Sequence, residues 1–372
     1  MKDIEARAAI TDGKGNCSIE NIVIKPPAAN EVRVTMHAAG ICHTDYDSMS
    51  WGDTFLMGHE GAGVVESVGD EVSSVKPGDR VLLNWAIPCG KCFQCSLGNT
   101  AICENNSPVT GGIDGHATLE STLWNGQPVK RSFHLGTMAT HALVRKEAVV
   151  RLGVDIPFTS ACLIGCGVMT GYGSVVNSAN VQAGSSVVVL GCGGVGLNVI
   201  QSAALCGAAQ VIAVDVDTQK FPLARQFGAT HVVEASRDDH GLREAAATVL
   251  AMTSGRGTDY AFECTAIPSL GDAPLAFIRN AGTAIQCSGI EQTIPFDATL
   301  FEWNKTYLNP LYGGCRPHID FPRILSLYQS NKLMIDELVT RTYSLDELPE
   351  AIDDLLAGKN AKGVLRLASE TS

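Results

Sequence analysis

The feature that most constrains this chain is the hexamer Gly191-Cys192-Gly193-Gly194-Val195-Gly196, set directly after the apolar run Ser186-Val187-Val188-Val189-Leu190. Such a run reads as a strand buried on both faces, and the stretch from Gly194 to Leu205 reads as a helix that Gly207 ends. Strand, glycine turn and helix in this order form the context in which G-x-G-x-x-G acts on a phosphate. The first glycine permits the tight turn, the second lets backbone approach a pyrophosphate, and the third lets helix and strand pack closely. The helix N-terminus adds amide donors and the positive end of its dipole. Gly191, Gly193, Gly194, Val195 and Gly196 are therefore candidate dinucleotide-binding residues. Asp215 ends the following strand, Val211-Ile212-Ala213-Val214, nineteen residues beyond Gly196. A carboxylate there accepts from both ribose hydroxyls and repels a 2′-phosphate, which points to NAD(H) rather than NADP(H). Lys220 is placed to contact the same ribose.

Strand-like runs recur at His231-Val232-Val233, Tyr260-Ala261-Phe262-Glu263, Ala284-Ile285-Gln286-Cys287 and Tyr307-Leu308-Asn309. Alternation with helical stretches implies a doubly wound parallel α/β sheet with right-handed crossovers. The first half has a different rhythm of short strands and turns. Glu31-Val32-Arg33-Val34-Thr35-Met36 alternates polar and apolar, as a half-buried strand does. Gly63 to Val68 follows, and the turn Lys76-Pro77-Gly78-Asp79 leads into Arg80-Val81-Leu82-Leu83, which suggests a barrel-like β unit with functional loops. Residues after 313 read as helix, strand and helix, including Leu345 to Leu356. The expected division is a β-rich domain over 1–167, completed by 313–372, and a nucleotide-binding domain over 168–312.

Net charge over the 372 residues is −12 and Lys and Arg are scattered, so neither nucleic acid nor an acidic membrane is an expected partner. The N-terminal stretch has no apolar signal-like core, and no uninterrupted apolar stretch approaches membrane-spanning length. The expectation is a soluble, cytoplasmic protein, whose thirteen cysteines are then thiols rather than disulfides. Four of them, Cys89, Cys92, Cys95 and Cys103, fall within fifteen positions as C-x2-C-x2-C-x7-C. Gly90 and Gly98 let the backbone wrap one ion, and four sulfurs at about 2.3 Å satisfy tetrahedral zinc completely. An iron–sulfur cluster is the rival for any four-thiolate site.

Gly40-Ile41-Cys42-His43-Thr44-Asp45 and Gly58-His59-Glu60 offer a thiolate and an imidazole in the β-rich half, and Ile164-Gly165-Cys166-Gly167 offers a second thiolate. Spacing alone makes this trio a weak metal site, since lone cysteines are usually small buried hydrophobes. At these residues, however, the chain resembles the zinc-containing medium-chain alcohol dehydrogenase family, in its longer animal and plant branch. GICHTD, GHEGAG, the CGKCxxC cluster, IGCGVMTGYG, LGCGGVGL and the AVD strand end occur in that family's order over nearly the whole chain.

The resemblance implies a GroES-like catalytic domain plus a Rossmann domain, and a second, catalytic zinc held by Cys42, His59 and Cys166. This two-cysteine, one-histidine set is the one for which the family is the usual example. It implies hydride transfer between a primary alcohol or its aldehyde and NAD(H). Asp45 would orient His59 and Glu60 would tune the ion. Thr44 would take the alcohol proton, and Asp47, standing where many relatives carry histidine, would pass it on. His43 and Lys362 match positions that contact cofactor phosphates, and Trp85 matches an aromatic lining the substrate pocket. The alternative is a biosynthetic reductase on the same scaffold acting on an iminium, an unsaturated carbonyl or a thiol adduct. The segment between Asp47 and Gly58 is shorter than in glutathione-dependent formaldehyde dehydrogenases and lacks their acidic loop residue, which demotes that substrate. The insertion from about Gly111 to Gly136 resembles the dimeric members, with the strand near Tyr307 as the expected edge of a homodimer.

Overall fold

Continuous apolar runs with no polar face can be satisfied only by cover on both sides, and the second half of the chain does this with a six-stranded sheet. The computed structural model describes residues 2–111, 121–290 and 292–368. The chain divides into two units. One comprises Met1–Cys166, Arg316–Asn331 and Ile335–Ser372, and the other Gly167–Cys315 and Lys332–Met334.

In the second unit the strands lie in the order His231–Glu234, Gln210–Asp215, Ser186–Leu190, Thr258–Glu263, Ile278–Gln286, Thr306–Leu308. All five pairings are parallel. Val187 to Leu190 are fully buried, as their composition demands. Strand order reverses beside Ser186–Leu190, with Leu190 registered against Val214 on one side and Glu263 on the other. That switch point is where ligands bind in open α/β sheets, and the glycine hexamer leaves the sheet there. The Gly194–Leu205 helix follows and ends through Gly207, whose φ of +81° is the left-handed conformation of a helix stop. A cavity of about 500 Å³ in the same unit, beside Arg243, Leu250, Trp303 and Lys305, is lined by none of the predicted site residues.

The first unit contains two sheets. Glu31–Gly40 is the hub of the seven-stranded one, pairing antiparallel with Glu60–Val68, His141–Arg145 and Lys362–Arg366. This corrects the half-buried reading of residues 31–36. A central strand is covered on both faces, so Glu31 and Arg33 are buried, and the Arg33 guanidinium is held by both carboxylate oxygens of Glu66 at 2.9 and 3.0 Å. Residues after 313 form the helix Pro317–Gln329, the strand Val339–Ser344 and the helix Leu348–Leu356, and then a further strand, Lys362–Arg366, that sequence reading did not anticipate. Gly40 is registered against both Glu60 and Val364, which draws Lys362 to the neighbourhood of Glu60.

A second correction concerns apolar length. Phe158–Ser178 is one helical run of 21 residues, apolar enough by composition to cross a membrane, and 89% of it is buried inside the protein. Its glycines, serines and threonines hide the run from a reader looking for unbroken aliphatic sequence, and they permit close packing in a protein interior.

Candidate active site

The four-cysteine cluster is assembled by local turns. Gly90 and Gly98 take φ of +73° and +87°, which side-chain-bearing residues rarely adopt. The four Sγ atoms of Cys89, Cys92, Cys95 and Cys103 lie within 4.8 Å of one another, with Cys92 and Cys103 at 3.9 Å. A tetrahedron of sulfurs at about 2.3 Å from zinc has edges of about 3.8 Å. The backbone is arranged for negative sulfur. The N–H groups of Cys89 and Asn106 donate to Cys103 Sγ, those of Cys95 and Glu104 to Cys92 Sγ, and that of Cys92 to Cys89 Sγ, all at 3.3 or 3.4 Å. Asn105 Nδ2 donates to Cys89 Sγ at 3.2 Å. Although burial pushes the Cys89 thiol up, these donors bring it down to about 6, whereas burial dominates at Cys95 and pushes it up to about 12. The donor set fits a closed zinc site.

The second cluster is drawn from three distant segments of the same unit. One donor atom each from Cys42, His59, Glu60 and Cys166 lie within 4.8 Å of one another. Cys42 precedes the short helix His43–Ser48, and its N–H donates to Asp45 Oδ2 at 2.9 Å. The other oxygen of Asp45 accepts from His59 Nδ1 at 2.9 Å, with both residues 1% exposed. A carboxylate can only accept here, so Nδ1 carries the proton and Nε2 is the free ligand atom. Burial alone would lower the His59 pKa, but the Asp45 charge and hydrogen bond raise it well above the ordinary value. Contact with Cys166 holds the Cys42 thiol well below its usual range, and the same contact raises Cys166. Both sulfurs suit a metal ion, because metal ligation and protonation compete for the same sulfur.

Glu60 is fully buried. One oxygen accepts from Lys362 Nζ at 2.7 Å, while Oε2, among the described atoms, has no hydrogen-bond donor. A Cβ at Gly40 would stand 2.0 Å from that oxygen, so Gly40 keeps the space that Glu60 fills. Lys362, expected at a cofactor phosphate, places its buried ammonium on Glu60 and on the Ile41 carbonyl at 2.9 Å, and so neutralises a buried carboxylate.

Thr44 and Asp47 lie three residues apart on the His43–Ser48 helix, a spacing that shares one face. Thr44 Oγ1 is 3.8 Å from Cys42 Sγ, Asp47 is half-buried and His43 is exposed. Trp85 is 5% exposed and its ring lies 5.2 Å from Phe133, which in turn lies 4.8 Å from the His59 ring. Sequence reasoning did not single out Phe133, and nothing in its local pattern marks it. Part of the expected insertion, residues 112–120, lies outside the described residues.

In the other unit each glycine of the loop meets a distinct constraint. Gly191 has φ +92°, Gly193 has open space where a Cβ would project, and a Cβ at Gly196 would stand 1.9 Å from the Gly191 carbonyl. The Gly194–Leu205 helix has no side-chain cap, so its first amides keep their donors for a ligand. Gly194 and Val195 are partly exposed in its first turn. Asp215 accepts from the N–H groups of Cys192 at 2.7 Å and Asp217 at 2.9 Å, and Lys220 Nζ lies 3.4 Å from both its oxygens. Beyond the loop, the buried carboxylate of Glu263 accepts from Thr265, Gln286 and Ser288, a polar knot at the strand ends that sequence reading also missed.

Comparison with known proteins matches residues 28–154 to the alcohol dehydrogenase GroES-like domain and residues 194–330 to the zinc-binding dehydrogenase domain. S-(hydroxymethyl)glutathione dehydrogenase of Saccharomyces cerevisiae is 34% identical over 378 residues, covering 98% of this chain and 97% of its own. Alcohol dehydrogenase B of Mycobacterium tuberculosis is 34% identical over 372 residues, covering 95% and 96%. The crystal structure of benzyl alcohol dehydrogenase from Acinetobacter calcoaceticus superposes with a TM-score of 0.88 at 31% identity, covering 98% of this chain and all of that one. Fold, paired donor sets and full-length similarity agree: the chain belongs to the zinc-containing medium-chain alcohol dehydrogenase family.

Proposed function

We propose that this chain transfers a hydride between a primary alcohol or its aldehyde and NAD(H), with one catalytic and one structural zinc per subunit. The observation that carries the reading is the convergence of Cys42, His59 and Cys166 on one buried point, with Glu60 beside them. On this reading residues 1–167 and 313–372 hold the alcohol, and residues 168–312 hold the dinucleotide. Zinc bound by Cys42, His59 and Cys166 supplies Lewis acidity toward the alcohol oxygen. Asp45 fixes the imidazole tautomer that can ligate. Thr44 accepts the hydroxyl proton as the alcohol is oxidised, and Asp47 on the same helix face passes it outward. NAD(H), held by the glycine loop and Asp215, would supply the nicotinamide that takes the hydride from the carbinol carbon.

The glycine loop and the open helix N-terminus suit a pyrophosphate, and Asp215 suits two ribose hydroxyls. Lys220 is paired with Asp215, whose carboxylate would repel a 2′-phosphate. His43 is exposed and available to a phosphate. The homodimer reading is supported by the edge position of Thr306–Leu308 and by Trp303 and Phe301 beside it, 68% and 39% exposed. A reducing, cytoplasmic setting goes with this reading, since six cysteines serve as zinc ligands in it. The partners on this reading are small molecules, with neither nucleic acid nor membrane involved.

The test is NAD⁺ reduction by the zinc-loaded protein across aliphatic, benzylic, terpenoid and S-hydroxymethyl thiol alcohols, with metal content measured in parallel. Turnover of a primary alcohol with two zinc ions per chain is expected. Zinc at the four-cysteine site alone, with NADH bound and no turnover, overturns the reading. Asp47 in place of the histidine of many relatives keeps the reductase alternative open, which predicts reduction of an iminium, an unsaturated carbonyl or a thiol adduct with no alcohol oxidised.

A further inference from the structure

Seven of the thirteen cysteines belong to neither donor cluster, and two of these stand side by side. Cys264 follows the strand Thr258–Glu263, and Cys287 follows Ile278–Gln286. These strands are parallel neighbours that end on the registered pair Glu263 and Gln286. Cys264 and Cys287 are the next matched pair, and matched residues of neighbouring strands point to one face. The backbone fixes both. The Cys264 N–H donates to the Leu190 carbonyl and the Cys287 N–H to that of Glu263, each at 2.9 Å. Adjacent strands run about 4.8 Å apart, inside the span of about 4.4 to 6.8 Å that a disulfide bridges between Cα atoms.

The pair sits at the carboxyl end of the sheet, against the glycine loop. A Cβ at Gly196 would stand 3.6 Å from Cys264 Cβ, and one at Gly191 would stand 3.2 Å from the Cys264 carbonyl. Both cysteines are partly exposed, whereas inert structural thiols are closed off from solvent. Cys192, inside the loop, shows the difference: it is 2% exposed and burial pushes its thiol up to about 12. Burial, and then the neighbouring Cys287, hold the Cys264 thiol well above its usual range. Cys264 therefore keeps its proton, which leaves Cys287 as the attacking sulfur.

We propose that Cys264 and Cys287 form an oxidation site, closed to a disulfide by a hydroperoxide, that lowers the affinity of the adjoining glycine loop for dinucleotide. That consequence rests on the NAD(H) reading above, whereas the disulfide itself does not. The Cys287 thiolate attacks one peroxide oxygen, the O–O bond breaks, and hydroxide leaves and takes up a proton. The Cys264 sulfur then displaces the oxygen of the resulting sulfenic acid, and its own proton leaves with that oxygen as water. Two thiols thus lose two electrons and two protons, and hydrogen peroxide becomes two waters. Bonding draws the sulfurs to about 2.05 Å, closer than any non-bonded thiols approach, which shifts Cys264 where the loop packs on it.

The experiment treats the zinc-loaded protein with hydrogen peroxide and blocks the remaining thiols. Tryptic peptides are then read by mass spectrometry, with NADH affinity and zinc content measured in parallel. Arg279 lies between the two cysteines, so trypsin leaves them on one fragment only when they are bridged. A Cys264–Cys287 link is expected, with NADH bound at least about tenfold more weakly and both effects reversed by dithiothreitol. Cys287→Ser and Cys264→Ser are expected to bind NADH as the reduced wild type does and to keep that affinity under peroxide. No link, a link to Cys192 instead, or a loss of affinity that persists in the serine variants overturns the inference. A link that leaves NADH affinity unchanged overturns it equally. Protein that forms the link but binds no NADH even when reduced overturns the dinucleotide reading, while the oxidation site stands.

Discussion

Two clusters of four donors, each within 4.8 Å, are built on opposite principles in one chain. The Cys89–Cys103 site meets the charge of its sulfurs with nearby backbone N–H groups and one asparagine, so everything it needs lies within a few turns. The Cys42–His59–Cys166 site is largely buried and meets its charges with Asp45, Glu60 and Lys362, drawn from one helix and two strands. A site supplied with backbone donors is robust and chemically idle, because no ligand position is left over. A site supplied with buried charged side chains is costly, and that cost is tolerated where an open position has work to do.

The sharpest way to break this comparison is to remove one ligand from each cluster. Cys166→Ala is expected to lower kcat/KM for a primary alcohol by about a thousandfold, from several kcal/mol of lost transition-state stabilisation. One of two zinc ions should be lost while the fold persists. Cys103→Ala should act in reverse, through lost metal-linked folding energy, giving protein that aggregates or melts early. Equal loss of fold in both, read by thermal melting and metal content, would make the two sites functionally alike.

Next in size is the buried ion pair. Lys362→Met removes the ammonium that Glu60 pairs with, and removing one partner of a buried pair costs about 3 kcal/mol or more. Burial already pushes the Glu60 pKa up even with Lys362 beside it. Without the ammonium the folded pKa rises further above the unfolded value. The deficit is then largest at neutral pH and shrinks as pH falls and Glu60 takes a proton. Glu60→Gln in the same chain should recover most of the lost stability. Denaturant melts from pH 5 to 8 check this, and a deficit that grows on acidification contradicts the pairing.

The same contrast explains what could be read in the sequence. The four-cysteine site is local, so spacing alone displayed it, and the parallel sheet announced itself through runs such as Val187 to Leu190 that have no polar face. The open site joins residues 42, 59 and 166, and only family resemblance gathered them. Residues 31–36 alternate and yet are largely buried, flanked by Glu60–Val68 on one side and by His141–Arg145, more than a hundred residues away, on the other. The pairing of Gly40 with both Glu60 and Val364 brings Lys362 to Glu60, a contact that no local pattern announced. Phe133 left no sign at all, since a left-handed φ at a non-glycine residue is set by its surroundings and not by its own propensity.

Asp45 tests whether side-chain support is essential to the open site. Asp45→Asn offers an amide where His59 Nδ1–H needs a carboxylate, and it weakens the bond to the Cys42 N–H. Loss of such a supporting group typically costs about 10- to 100-fold in metal affinity or activity. Competition with a chelator and kcat/KM should fall together. If only kcat/KM falls, Asp45 acts on substrate chemistry and not through His59.

The smallest effect belongs to the closed site, and it is the one that sharpens the comparison most. Asn105 supplies the only side-chain donor to that cluster among the described contacts, 3.2 Å from Cys89 Sγ. Asn105→Ala removes one hydrogen bond to a charged acceptor that several backbone donors also serve, so about 1 kcal/mol or less is at stake. Zinc release to a chelator is expected to quicken about threefold to fivefold. Alcohol turnover should be untouched, since Asn105 neither faces the open cluster nor carries charge. Were Asn105→Ala to slow turnover as much as Asp45→Asn does, the four-thiolate lobe would have to be coupled to the chemistry. The division between a backbone-supplied anchor and a side-chain-supplied working site would then fail, because an anchor is expected to hold its metal without reporting on the reaction.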